Sequence, residues 1–211
     1  MRALLKAPRV AESGLFQAEA DANRLRALLK ANPALANQPL MELRGERAST
    51  PLLEAVKIGN AEAVKVLLEA GAKPNVTLSG QASSPLLTAI GARHSGLTRL
   101  TEIRLLVGAG ATPTGALHVW AGVTNWTDRK TYFGAADALV AAKAGIGTVN
   151  ETGATPLHVA VLSDNVLAVE KLVALGAPVD DMAKDFAYAG AGTAEGKLIL
   201  KVLKLPEVRQ L

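Results

Sequence analysis

The stretch TPLHVAVLSDNVLAVEKLVALGAPVD, residues 155–180, begins with a helix start and closes with a helix stop. Thr155 is a favourable N-cap residue, and Pro156 suits the first helical turn, where its missing N–H breaks no hydrogen bond. Gly176 stands where helices commonly end in the left-handed conformation. The stretch therefore predicts a short helical unit that starts and stops within it.

The same unit recurs along the chain. Further copies begin at Thr50 with TPLLEAVKIGNAEAVKVLLEAGAKPN and at Ser84 with SPLLTAIGARHSGLTRLTEIRLLVGAGATP, and a degenerate copy begins at Gly115 with GALHVWAG. Successive copies start 34, 31 and 40 residues apart, so about seven extra residues lie in the third copy. In the first copy, Gly59 ends one helix and a second helix is predicted over 61–70. Each unit is thus a helical hairpin.

The hairpin beginning at residue 155 carries a specific signature. Thr155, Pro156, Leu157, His158 and Ala160 match the T-P-L-H-x-A pattern of ankyrin repeats in full, and the spacing of the copies is close to the period of about 33 residues in that family. The chain resembles the ankyrin-repeat family. The resemblance implies an all-α fold, an ankyrin-repeat solenoid of stacked helix-turn-helix units with divergent capping repeats.

The resemblance covers nearly the whole chain and implies one domain over residues 1–211. The predicted ranges are an N-terminal cap over 15–47, repeats over 48–82, 83–113, 114–153 and 154–182, and a C-terminal cap over 183–211. The third repeat carries an insertion over 123–133. In the N-terminal cap, the stripe of Leu25, Leu28 and Leu29 and the stop at Asn32-Pro33 predict a helix pair over 15–33.

The composition is that of a folded protein, with 49% hydrophobic and 20% charged residues but only 3% aromatic ones. A core with so few rings must be built from Ala, Leu and Val, which favours close helix packing over a β-sandwich. The net charge of +4 comes from scattered Lys and Arg residues, so nucleic-acid binding is not favoured. Cysteine is absent, and no apolar run is long enough for a signal peptide or a membrane helix. We expect a cytoplasmic, monomeric protein without membrane contact.

Candidate catalytic and metal-binding groups are few. No G-x-S-x-G motif surrounds a serine, and no two of the three histidines have the spacing of a metal site. By the resemblance, His118 and His158 occupy the repeat's own histidine position, where the ring hydrogen-bonds neighbouring turns, whereas His94 lies in a predicted loop and is expected to be solvated. We therefore predict no enzyme activity, no metal site and no cofactor. An enzyme or ligand carrier with a pocket at the insertion, near Asp128 and Lys130, stays as an alternative.

Candidate partner-binding residues also follow from the resemblance, because ankyrin-like repeats usually bind another protein through the first helices and loop tips of their concave side. The matching positions of the first helices are Glu54, Lys57 and Ile58 in one repeat, Thr88 and Arg93 in the next, and Leu162 in the last. These side chains are varied and partly apolar, and an aliphatic residue such as Ile58 or Leu162 gains nothing from solvent.

Aromatic residues are concentrated at the insertion, where Trp120, Trp126, Tyr132 and Phe133 are four of the chain's seven rings. Two interpretations are open. In the first, the insertion projects and Trp126, Arg129 and Tyr132 anchor a partner, since binding interfaces are enriched in Trp, Tyr and Arg. In the second, the rings, Trp120 and Phe133 above all, fill the gap left by a broken repeat.

Taken together, the repeats predict a protein–protein interaction module, a small soluble adaptor or inhibitor that holds another protein. An alternative of the same class is a secreted bacterial effector or an immunity-type protein on the same scaffold. The alanine-rich composition points to a bacterial protein.

Overall fold

The computed structural model describes residues 12–40, 49–76 and 84–207, and across these ranges the regular structure is helical. The α-helices are α1 (Glu12–Ala31), α2 (Pro51–Lys57), α3 (Ala61–Glu69), α4 (Pro85–Gly91), α5 (Gly96–Gly108), α6 (Ala116–Gly122), α7 (Arg129–Ala141), α8 (Pro156–Leu162), α9 (Val166–Ala174), α10 (Asp181–Ala189) and α11 (Ala194–Val202). One 3-10 helix covers Pro33–Ala36, and an isolated antiparallel bridge pairs Leu40 with Ser49. The predicted all-α class is confirmed. The predicted repeat boundaries after residues 47 and 82 lie outside the described residues.

The three Thr/Ser-Pro-Leu motifs begin equivalent helices. The hydroxyl of each N-cap residue accepts a hydrogen bond from the backbone N–H three residues later, at 3.1 Å for Thr50, 3.5 Å for Ser84 and 3.3 Å for Thr155. A proline follows each N-cap at the first helical position, where no intrahelical donor is needed. The predicted helix starts are therefore confirmed at all three motifs.

The turn between α2 and α3 is closed by Gly59, whose backbone has a φ of 74°. This left-handed conformation is open to glycine and strained for other residues. The ring of His94 also lies against Gly59, so close that a Cβ there would be 2.7 Å from the His94 Cγ. Helix α3 follows over Ala61–Glu69, within one residue of the predicted range.

The N-terminal segment differs from its prediction. The predicted helix pair over 15–33 is wrong, because α1 runs unbroken through this range as one helix of 20 residues and is followed by the 3-10 helix. No glycine or proline interrupts residues 15–31, so nothing in the chain forces a turn. Leu25 and Leu29 of the predicted stripe are buried, while Leu28 is partly exposed.

The helices form two compact units, Met1–Thr112 and Pro113–Leu211. In the first unit α1 packs on α3, α3 on α5, and α2 on α4. In the second unit α6 packs on α8, α8 on α10, and α9 on both α7 and α11. Within each unit, first helices thus pack on first helices and second helices on second helices. The cores are made mainly of Leu, Val, Ile and Ala side chains, as the composition predicts, and the single-domain organisation stays a prediction.

The second helices of the hairpins have two lengths, since α3 and α9 have nine residues whereas α5 and α7 have thirteen. These four helices can be aligned on their C-cap residues, which gives a common numbering of positions along them. Ten residues before the C-cap stand Asn60, Arg99, Tyr132 and Asn165, and seven residues before it stand Ala63, Glu102, Ala135 and Ala168. All eight side chains are buried. We call the first place, ten residues before the C-cap, the cap position, because in α3 and α9 it holds the N-cap residue. The second place, seven residues before the C-cap, is called the alanine position. The extra turn of α5 and α7 precedes the cap position in both helices.

Candidate functional site

The predicted positions of α2 form a small polar network. The Glu54 carboxylate accepts hydrogen bonds from the Ser49 hydroxyl at 2.6 Å and from the Lys57 ammonium group at 2.9 Å. Lys57 is exposed, while Glu54 and Ile58 are half-buried. Lys57 is therefore the side chain of this helix that solvent, or a partner, reaches most easily.

The candidate residues of α4 and α8 differ in character. Arg93 follows α4 and is exposed, whereas Thr88 is half-buried. Leu162 is the last residue of α8, and 60% of its surface is exposed. On the same face of α8, one turn earlier, lies the half-buried Val159. Gly122 of α6 lies beside it, since a Cβ at Gly122 would be 3.3 Å from the Val159 Cγ1. We call Gly122, Val159 and Leu162 the aliphatic patch.

The rings near the insertion form one buried cluster. Trp120 stacks on Tyr132 with 4.3 Å between ring centroids, and Trp126 lies 5.4 Å from Tyr132. The Trp120 indole N–H donates to the Tyr132 carbonyl at 3.1 Å, and the Tyr132 hydroxyl donates to the Trp120 carbonyl at 2.9 Å. These reciprocal bonds join α6 to α7 and satisfy the polar atoms that both rings bring into the core.

The prediction that Tyr132 is a surface side chain is wrong, because only 1% of it is exposed. Trp126 is also buried, contrary to the same interpretation. The reason is that α7 begins at Arg129, so that the last part of the insertion is helical and directs Tyr132 inward. The burial of Trp120 agrees with the second interpretation, in which the rings fill the gap left by the broken repeat.

Arg129 is exposed as predicted, but neighbours hold its guanidinium group. It pairs with the Glu170 carboxylate of α9 at 2.5 Å and lies 4.6 Å from the centroid of the Phe133 ring. Lys171 of α9 approaches the same ring from 5.4 Å and pairs with the Asp137 carboxylate at 2.6 Å. These contacts join the outer side of α7 to α9.

Asn165 is a central residue that the sequence analysis missed. Its amide nitrogen lies 2.8 Å from the Tyr132 hydroxyl oxygen, 2.9 Å from the Ala121 carbonyl and 3.1 Å from the Val123 carbonyl. Its side-chain oxygen accepts from the Ala168 N–H at 3.2 Å and so caps α9. The sequence signal that could have identified it is the recurrence of Asn at the cap position, at Asn60 and at Asn165. An Asn that precedes a helix can cap it with its oxygen, and its amide nitrogen can bond further groups.

Two histidines link successive turns in the second unit, as the resemblance implies. The His118 Nε2 donates to the Ala154 carbonyl at 3.0 Å. The His158 Nδ1 accepts from the Thr155 N–H at 3.0 Å, so its Nε2 carries the proton and donates to the Asp180 carboxylate at 2.7 Å. This hydrogen bond from His158 is the main cause that lowers the pKa of Asp180.

His94 was expected to be solvated, and that expectation is wrong. Its ring is half-buried, and its Nε2 donates to the Val56 carbonyl at 3.2 Å. The turn that carries His94 therefore packs on the preceding hairpin. The glycine at position 59 leaves the space that the ring occupies.

Two ionisable side chains are buried in α5. Arg99 at the cap position donates to the Ile90 carbonyl at the end of α4. Glu102 at the alanine position is 0% exposed, and neither of its carboxylate oxygens has a hydrogen-bond partner within the described structure. Burial raises the pKa of Glu102 to about 8, because an apolar environment disfavours the charged form.

The described residues contain no group of three acidic or histidine side chains placed to hold a metal ion. None of their helices is both long and apolar enough to span a bilayer. A shallow groove of about 320 Å³ lies between α1 and α3. Apolar and charged side chains line it: Arg26, Leu29, Lys30, Pro33, Val66, Glu69 and Ala70.

Stacked hairpins of this kind define a helical-repeat protein. The family model for the ankyrin repeat matches residues 49–77 and 152–185, the segments that contain the complete Thr-Pro-Leu motifs. The architecture matches the crystal structure of the human ASB11 ankyrin repeat domain with a TM-score of 0.61, over 87% of this chain and 81% of that one, at 24% sequence identity. This chain therefore contains ankyrin repeats and has the fold of an ankyrin-repeat solenoid.

A curated relative is an ankyrin repeat-containing protein of Treponema pallidum (strain Nichols). It is 40% identical over 75 residues, which make up 36% of this chain. The match spans only 23% of the relative's length. Ankyrin repeats are generally protein–protein interaction modules, and they are typically scaffolds without enzymatic activity.

Proposed function

We propose that this chain is an adaptor or inhibitor that binds a partner protein through the exposed ends of its first helices. The observation that carries the proposal is the exposure of Leu162 within the aliphatic patch. Burying a leucine side chain in a complex stabilises it by roughly 1.5–3 kcal/mol. The patch carries no charge, and Gly122 lies directly beside Val159 within it.

The first unit offers a different surface, which is polar. Lys57 and Arg93 are its exposed cations, and the half-buried Glu54, Ile58 and Thr88 lie on the same two hairpins. We propose that this surface favours a partner segment with acidic side chains. Rim charges of this kind raise the rate of association more than the final affinity.

The aromatic cluster supports the binding surface from inside and does not itself contact the partner. Trp126 and Tyr132 support α6 and α7 from inside the second unit, where they are buried. Arg129 stays a candidate contact, because a partner carboxylate can compete with Glu170 for its guanidinium group. The insertion thus positions the first helices and contributes one charged side chain to binding.

A variant of the proposal is that the chain is a secreted bacterial effector or an immunity-type protein on the same scaffold. Both roles use the same binding surface, and they differ in the compartment where the partner protein is found. For the adaptor or inhibitor we propose the cytoplasm as the compartment and a monomer as the free form. No enzymatic role is part of the proposal.

The test is affinity capture from the native cell followed by binding of the purified partner. Leu162→Asp is compared with Leu198→Asp, which changes a leucine that is 51% exposed on the second helix α11. Arg93→Glu is compared with Arg104→Glu, an exposed change on α5. We expect Leu162→Asp to weaken binding at least about tenfold, equal to about 1.4 kcal/mol, with little change in Leu198→Asp. Equal effects of the two leucine changes, or no effect of either, would exclude the aliphatic patch.

A further inference from the structure

Glu102 stands at a place where the other hairpins have a small residue. Seven residues before the C-cap, α3, α7 and α9 carry Ala63, Ala135 and Ala168, and all three are buried. In these three hairpins the place is therefore buried and occupied by a small side chain. In α5 it holds a carboxyl group instead.

The surroundings of Glu102 provide little to stabilise a negative charge. The side chain is fully buried, and its two oxygens accept no hydrogen bond from the described residues. Arg99 lies one turn away on α5, but its guanidinium group is directed to the Ile90 carbonyl. Burial is the cause of the raised pKa of Glu102.

In the first unit, α5 packs against α3 and α4. Helix α4 has no ionisable side chain, and in the turn after it His94 is held by the Val56 carbonyl. On α3, Glu62 is paired with Arg26 at 2.5 Å. The remaining ionisable side chains of these elements are exposed: Lys65, Glu69, Arg93 and Arg104.

We propose that the α4–α5 hairpin is a pH-sensitive element, which stays closed around the buried, uncharged carboxyl group of Glu102 in acidic solution and opens increasingly as the pH rises. In the open hairpin the carboxyl group regains water and its ordinary pKa of 4.5. Between this pH and about 8, opening therefore releases one proton. The opening constant then rises about tenfold for each pH unit. Above about pH 8 both states are ionised, and the constant no longer changes.

Hydrogen exchange of the full chain, followed by mass spectrometry from pH 5 to 9, tests the proposal. After correction for intrinsic exchange rates, we expect the opening constant of α5 amides to rise about tenfold per pH unit up to about pH 8. Amides of α9, with Ala168 at the same place, serve as the internal reference and should show no such rise. A flat profile in α5, or an equal rise in α9, would overturn the proposal.

Two variants separate ionisation from packing. Glu102→Gln keeps the shape without a titrating group, and Glu102→Ala restores the residue of the other hairpins. Both should lose the pH dependence of α5 exchange, whereas Glu69→Gln, an exposed change on α3, should keep it. Persistence of the rise in either Glu102 variant contradicts the proposal.

A measurement on the unmodified chain covers the case in which neither variant folds. The carboxyl carbon resonance of Glu102, followed by NMR, should titrate with a midpoint of about 7 or higher. A lower midpoint overturns the proposal, because the carboxyl group would then already be charged in the closed hairpin.

Discussion

The hairpins α4–α5 and α6–α7 extend their second helix by the same amount and support the extra turn by different chemistry. Both α5 and α7 have thirteen residues, against nine in α3 and α9. In α7 the cap position holds Tyr132, stacked on Trp120 and hydrogen-bonded to it in both directions. In α5 the cap position holds Arg99, and the buried Glu102 follows one turn later.

The difference shows that one backbone register accepts unlike side chains at the cap position, each with its own hydrogen-bonding partners. Tyr132 has both an apolar ring for the core and a hydroxyl that bonds to Trp120 and Asn165. Arg99 satisfies the end of α4 with a charge, but Glu102 remains without a bond in the described structure. We therefore expect α6–α7 to be the more stable hairpin and α4–α5 the one whose stability depends on pH.

The largest effect should come from Tyr132→Ala. This change removes a fully buried ring and leaves a cavity beside Trp120, so we expect a loss of about 3–5 kcal/mol in the free energy of unfolding. Chemical denaturation followed by tryptophan fluorescence measures it. Lys130→Ala, an exposed change in the same helical turn, is the control and should alter stability by less than about 0.5 kcal/mol. A loss of under 1 kcal/mol for Tyr132→Ala would mean that the ring does not support α7.

A smaller effect is expected for Tyr132→Phe, which keeps the ring and removes only the hydroxyl. The Trp120 carbonyl loses a donor and the Asn165 amide loses an acceptor, so stability should fall by about 1–2 kcal/mol. The same denaturation experiment applies. If Tyr132→Phe is as damaging as Tyr132→Ala, hydrogen bonding rather than ring packing distinguishes the two hairpins. If it has no effect, packing alone does so.

The smallest effect concerns the outer side of α7. Arg129→Ala removes a salt bridge to Glu170 that is exposed to solvent, so we expect a loss of about 0.5 kcal/mol that shrinks at high salt. A double-mutant cycle with Glu170→Ala isolates the pair. A coupling above 2 kcal/mol would show that the extra turn of α7 depends on this surface contact more than on the buried rings.

The exposure of the candidate binding residues was predicted with mixed success. Lys57, Arg93 and Leu162 are exposed, whereas Glu54, Ile58 and Thr88 are half-buried. Tyr132 and Trp126 are not, because residue type alone does not tell whether an aromatic side chain belongs to an interface or to a core. Counting back from the end of the helix would have placed Tyr132 in line with Asn165, which is a buried position.

Local sequence determined the start of the three hairpins that carry the Thr/Ser-Pro-Leu motif. Thr50, Ser84 and Thr155 cap their helices through bonds that span only three residues, so neighbours along the chain are sufficient to specify them. The repeated motif also determined the family. The tertiary structure alone decided that Tyr132 is buried and that Glu102 has an uncompensated carboxyl group. The physical reason is that burial and pKa depend on the packing of helices distant in sequence, and a motif does not encode what will lie against it.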